Sequence, residues 1–163
     1  MKSPWFVIAI TAAVVAAVLF ACAKSDSGFI KAIERSAQIA STSTNPVVTV
    51  SALTDFQWDK LFIFGPYTPV QKIHAQLGFE WADAEKTHID SSDTFYLLVF
   101  EKDGKVIRHF KLPRTVGDFQ TLEARNVFTL GNDTFEVKPV NAGNATRFNF
   151  LAKQQDQPSP SSK

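Results

Sequence analysis

Apolar residues along this chain fall into blocks of different period. The first block, Trp5 to Ala21 (WFVIAITAAVVAAVLFA), is uncharged and has no periodicity. From Gly28 to Ala40 (GFIKAIERSAQIA) the spacing changes to three and four, with Ile30, Ile33, Ala37 and Ala40 set against Lys31, Glu34, Arg35 and Gln38. That pattern predicts an amphipathic helix. Ser41-Thr42-Ser43-Thr44-Asn45-Pro46 stops it, because these side chains bond locally to backbone and proline closes the run. Two placements stay open for this helix, packed on the domain or part of a loose spacer.

Beyond Pro46 the pattern is mostly that of strands. Val47 to Val50 is a β-branched run, and Lys60 to Phe64 is a second strand stopped by Gly65-Pro66. Thr68-Pro69-Val70-Gln71 then combines three helix-start signals: a capping hydroxyl, a proline at the first helical position and a glutamine three residues after the cap. The helix over 69–77 offers Val70, Ile73, His74 and Leu77 on one face and ends at Gly78. Thr94 to Lys102 and Lys105 to Leu112 flank Asp103-Gly104, the dipeptide a two-residue type I′ turn prefers. A simple hairpin would place Phe100 opposite Ile107, Val99 opposite Arg108 and Leu98 opposite His109. Both faces are then apolar, as in a central hairpin.

A second hairpin is expected between Asn126–Leu130 and Thr134–Lys138 around Gly131-Asn132-Asp133, with a last strand over Arg147–Leu151. The expected fold is α+β: one domain over 47–151, with an antiparallel sheet of about five or six strands and one or two helices. Residues 152–163 lack large apolar side chains and are expected to be a disordered tail.

A chain of 163 residues and 18.1 kDa leaves room for one domain, and 17 basic against 16 acidic residues give no bulk field to attract nucleic acid. The apolar block at the start changes the picture more. Lys2 precedes it and Ala21 ends it, directly before Cys22, the only cysteine. A positive start, an apolar core and a small residue before the cut are what a secretion signal needs, so 1–21 is expected to be a signal peptide. Its 17 residues also touch the lower limit for a membrane span, roughly 17–25, so an uncleaved anchor is the rival expectation.

Leu19-Phe20-Ala21-Cys22 resembles the lipobox of bacterial lipoprotein precursors. The resemblance implies that the Cys22 thiol is diacylated, that the chain is cut before it, and that the new amine is often acylated as well. Palmitate-type chains on Cys22 would then tether residues 22–46 and the domain to the membrane, each buried methylene contributing about 0.8 kcal/mol. With one thiol no internal disulfide can form. Loss of 1–21 removes Lys2 alone and leaves an electrically neutral body, so lipid and not a basic surface would supply attachment. By the same resemblance, Ala23 lacks the aspartate of inner-membrane retention, whereas Lys24-Ser25 matches a retention pair of some bacteria. The implied location is the cell envelope, facing the periplasm or exterior, with inner or outer membrane undecided.

The phrase from Gly65 to Gly78 (GPYTPVQKIHAQLG) resembles the opening of the small outer-membrane-assembly lipoproteins and of the β-lactamase-inhibitor-like fold. That resemblance implies a threonine-capped helix ending in Leu-Gly ahead of antiparallel strands.

Candidate chemistry is sparse. His74, His88 and His109 have no ligand spacing and are expected on a helix, a loop and a strand. Asp83, Glu85, Asp90 and Asp93 form an acidic run without the alternation of a calcium loop, and Asp55 and Asp59 bracket Trp58 with no partner nucleophile in view. No metal, cofactor or catalytic residue is therefore expected. The unusual feature is aromatic content, with 15 phenylalanines. Phe56, Trp58, Tyr67, Phe79 and Trp81 stand at strand starts and helix ends. They are the candidate partner-binding residues if they cluster outside, and a second small core if they do not. The favoured function is a non-catalytic protein-binding module anchored at the envelope. The alternative is a small-molecule or lipid-binding protein, or an enzyme, with a pocket between helix and sheet.

Overall fold

Leu61 to Phe64 and Phe95 to Phe100 are buried without alternation, which requires cover on both faces of the sheet that holds them. The computed structural model, which describes residues 26–120, 126–142 and 145–153, supplies that cover. The chain runs α1 (Asp26–Ser41), β1 (Val47–Thr49), a 3-10 turn (Val50–Leu53), β2 (Lys60–Phe64) and α2 (Val70–Leu77). Two further 3-10 turns (Glu85–Thr87, Ile89–Ser91) lead to β3 (Phe95–Lys102), β4 (Lys105–Pro113) and β5 (Gly117–Gln120). Strands β6 (Val127–Thr129), β7 (Thr134–Ala142) and β8 (Ala145–Ala152) follow.

The fold is α+β, with two four-stranded sheets in the orders β1-β7-β8-β5 and β4-β3-β2-β6. All pairs are antiparallel except β5 with β8. The eight strands exceed the expected five or six; β5, the strand that the residue pattern did not single out, has only four residues, too few for alternation to register. The inner faces of the two sheets meet in the main core. There Phe128 of β6 packs on Phe135 of β7 with centroids 4.9 Å apart, and Tyr96 of β3 on Phe119 of β5 at 5.4 Å. On the far face of β2 and β3, Phe62, Phe64, Leu97 and Val99 meet Val70, Ile73 and Leu77 of α2 together with Trp81 and Ile89. The order of layers is sheet, core, sheet, core and α2.

Helix α1 belongs to the main core. Phe29, Ile33, Ala37 and Ala40 are buried there, and the Phe29 ring lies 4.4 Å from Phe110 and 5.7 Å from Phe100. Of the two placements open from the sequence, the packed one is adopted.

Three local expectations need correction. The Asp103-Gly104 turn forms with both residues at positive φ, 51° and 73°, but the simple register lasts only through Lys102↔Lys105 and Glu101↔Val106. A β-bulge then sets Phe100 opposite Arg108, Val99 opposite His109 and Leu98 opposite Phe110. The extra residue, Ile107, is left at the edge so that Phe110 and Leu112 reach the main core. Thr68 does not cap α2, because its hydroxyl donates to the Gly65 carbonyl at 2.7 Å. The end of that helix is as expected, with Gly78 at φ 81° and its N–H bonded to the His74 carbonyl. Finally, β6 and β7 are not a hairpin. Gly131-Asn132-Asp133 carries the chain from one sheet to the other, since Phe128 and Phe135 both turn into the core between them. Strand β7 pairs instead with β8.

Candidate functional site

The five aromatic candidates divide between the two cores. Trp58 is 2% exposed and packs edge-on against Phe100, which Phe56 also meets at 5.1 Å. Trp81 is 8% exposed in the second core, with Phe79 half-buried against the same cluster. Tyr67 alone stays outside, 60% exposed at φ 58°, with its N–H bonded to the Ser92 carbonyl. The structure therefore gathers four of them into cores and does not bring the five into one surface patch. The reason is burial demand, since sheet β4-β3-β2-β6 must be covered twice and these rings supply much of the cover. Cys22 lies outside the described residues.

The polar candidates are held in local pairs. His74 Nε2 stands 3.3 Å from the Trp81 carbonyl oxygen, and the His109 ring lies 5.0 Å from the Trp81 ring, so one tryptophan is flanked by two of the three histidines. His88 is exposed in the left-handed region at φ 56°. In the acidic run, Asp83 pairs with Lys86 at 2.6 Å, and the hydrogen bond and charge of that lysine hold the carboxyl below the usual range. Asp59 accepts the Asp103 N–H at 3.0 Å and faces Lys102 at 3.6 Å. The backbone bond is the main reason that its carboxyl also titrates low. Asp59 thus fastens the start of β2 to the β3–β4 turn. The space between α2 and its sheet, where a pocket was the alternative expectation, is filled by Ile73, Leu77, Trp81, Phe64 and Leu97.

Two surface features emerge that side-chain patterning did not single out. The first is a ribbon. Strand β1 pairs with β7 only over Thr134–Glu136, and β5 pairs with β8 only over Phe148–Leu151. From Lys138 to Ala142 and from Ala145 to Arg147 the strands pair with each other alone among the described residues. Val140 stands 39% exposed there, beside Lys138 and opposite Arg147. The second is the edge of β4. Ile107 is 38% exposed in the bulge, Lys105 is exposed two residues before it, and the Arg108 guanidinium stands 5.9 Å over the Phe56 ring.

No protein-family model, curated protein or solved structure matches the chain.

Proposed function

We propose that this protein is a membrane-anchored envelope lipoprotein whose folded body is a non-catalytic protein-binding module. The anchor reading is supported by the Leu19-Phe20-Ala21-Cys22 signal, with its positive start and uncharged core. The binding reading is supported by one observation, the β7–β8 ribbon. Beyond Val137 its outer edges have no neighbouring strand among the described residues, and although Pro139 offers no N–H, the remaining backbone N–H and C=O groups can pair with an added strand of another chain. Val140 and Lys138 on β7 and Arg147 on β8 supply apolar and charged contacts around that edge.

The test has two readings. Metabolic labelling with a palmitate analogue should mark the wild type and not Cys22→Ser. A photo-crosslinking residue at Val140 should capture one envelope protein in stoichiometric yield, and the same residue at exposed Glu85 should not. Label incorporation that survives Cys22→Ser overturns the anchor, and equal capture from both positions overturns the binding face.

A further inference from the structure

Alternate residues of a β-strand turn their backbone N–H and C=O groups to opposite sides, so one hydrogen bond on each edge of the β7–β8 ribbon fixes which residues face outward. Val137 N–H donates to the Pro46 carbonyl at 2.7 Å, on the β1 side. Pro139 and Asn141 therefore face outward on β7, while Lys138 and Val140 bond inward to β8. Phe148 N–H donates to the Val116 carbonyl at 3.1 Å, on the β5 side. Thr146 therefore faces outward on β8, while Ala145 and Arg147 bond inward.

The two edges are not equivalent. On β7 the next outward position after Val137 is Pro139, which has no N–H, and proline at such a place blunts an edge against pairing. On β8 the matching position is Thr146, which offers both an N–H and a C=O. Strand β5 would take both groups if it ran on before Gly117, but the chain turns away there. Val116 N–H donates to the Pro113 carbonyl at 2.9 Å, and Arg114 N–H donates to the Thr94 carbonyl at 2.9 Å, just before β3 of the other sheet. The strip beside Thr146, in line with β5, is thus open among the described residues. Arg147 gives that strip a charge. Its side chain shares a face with Val140, directly opposite on β7, and no ion pair among the described residues engages it. Lys138 on the same face is already paired with Glu136 at 3.4 Å.

Resting on the protein-binding reading above, we infer that the ribbon receives its partner on the β8 edge and not on β7. An extended segment pairs with Thr146 in antiparallel register, end to end with β5, and carries a carboxylate side chain beside Arg147. Antiparallel pairing lets Thr146 exchange both of its backbone bonds with the one residue opposite. The neighbouring residue of the segment, opposite Arg147, then stands in a non-hydrogen-bonded pair, where side chains approach most closely. A carboxylate there meets the guanidinium, and a lysine there is repelled.

The test uses the full chain in detergent micelles and two capped eight-residue peptides of alternating threonine and valine, one with a central glutamate and its twin with lysine in that place. At saturating glutamate peptide, hydrogen exchange should be slowed at least about fivefold at the Thr146 amide and less than about twofold at the Asn141 amide. The lysine twin should bind at least about fivefold more weakly. Thr146→Pro removes only an outward N–H and should abolish the response. Arg147→Glu leaves the backbone edge intact and should reverse the preference between the peptides. Protection at Asn141 in place of Thr146, no protection by either peptide, or a preference that Arg147→Glu does not change overturns the inference. Capture at Val140 in cells separates the two ways of failing. A partner captured equally by wild type and Thr146→Pro overturns the edge assignment alone, and no partner captured by wild type overturns the protein-binding reading and this inference together.

Discussion

Gly117 and Phe148 are in backbone contact where the one parallel strand pair begins. A Cβ built at Gly117 would collide with the Phe148 carbonyl oxygen and stand 2.6 Å from a ring carbon of Phe150. Both obstacles are buried, and the carbonyl belongs to the central strand β8, so neither can move aside alone. Gly117→Ala should lower stability by about 2–4 kcal/mol through overpacking and displacement of β5. Chemical denaturation followed by circular dichroism measures this, and a loss under 1 kcal/mol would mean that β5 is not seated as described.

Such a contact is not visible in the residue pattern around Gly117, and the contrast with what was visible is instructive. Helix α1, the Gly78 stop of α2 and the Asp103-Gly104 turn rest on local periodicity and φ preferences, which act within a few residues. Pairing of β5 with β8, across about thirty positions of sequence, depends on which faces the whole chain must cover. The bulge was not read from the sequence, and its reason shows only in the structure. After the turn, Val106 faces the second core whereas Phe110 and Leu112 face the main one, an even spacing that one inserted residue must break. The aromatic candidates failed as a patch for the opposite reason. Large rings at element ends are equally suited to surface and core, and only the double cover of β2 and β3 decides for the core.

Phe29 is the residue that turns α1 from a spacer into part of the fold. Its ring is enclosed by Phe100 and Phe110, and truncation leaves a cavity at the junction of helix and sheet. Phe29→Ala should cost about 3 kcal/mol of global stability. Hydrogen exchange checks the mechanism, since α1 amides should open in the same cooperative unit as β3 in the wild type and in a separate, faster unit in the variant. Unchanged global stability would return α1 to the role of spacer.

Tyr96 should report its burial in alkaline solution. Desolvation is the largest cause that pushes its phenol up, and the nearby Asp118 carboxylate adds to it. Folding favours the neutral phenol, so the contribution to stability is complete below the unfolded value of about 10 and is lost as pH rises toward the higher folded value. Tyr67→Phe alters an exposed side chain and leaves Tyr96 as the only tyrosine of the two in the chain. Near-ultraviolet titration of phenolate absorbance in that variant should show a higher midpoint folded than in denaturant. Coincident midpoints would contradict the packing of Tyr96 against Phe119.

Asp133 secures the corner at which the chain leaves one sheet for the other. It is fully buried, its Oδ2 accepts the Ser51 N–H, and its main-chain carbonyl accepts the Val50 N–H at 3.0 Å. The start of the 3-10 turn over Val50–Leu53 is thus capped from a residue more than eighty positions away, with Thr49 and Thr134 hydroxyls 2.9 Å apart beside it. Asp133→Ala removes the side-chain acceptor and leaves the main-chain one, so the half-buried N–H at Ser51 loses its partner at a cost of about 1 kcal/mol, offset in part because the variant also loses the buried, unpartnered Oδ1. Two amides separate this account from a general loosening. In the variant the Ser51 amide should exchange much faster while the Val50 amide, still bonded to the carbonyl of residue 133, changes only with global stability. Equal acceleration of both would mean that the carboxylate acts through packing of the corner and not through its hydrogen bond.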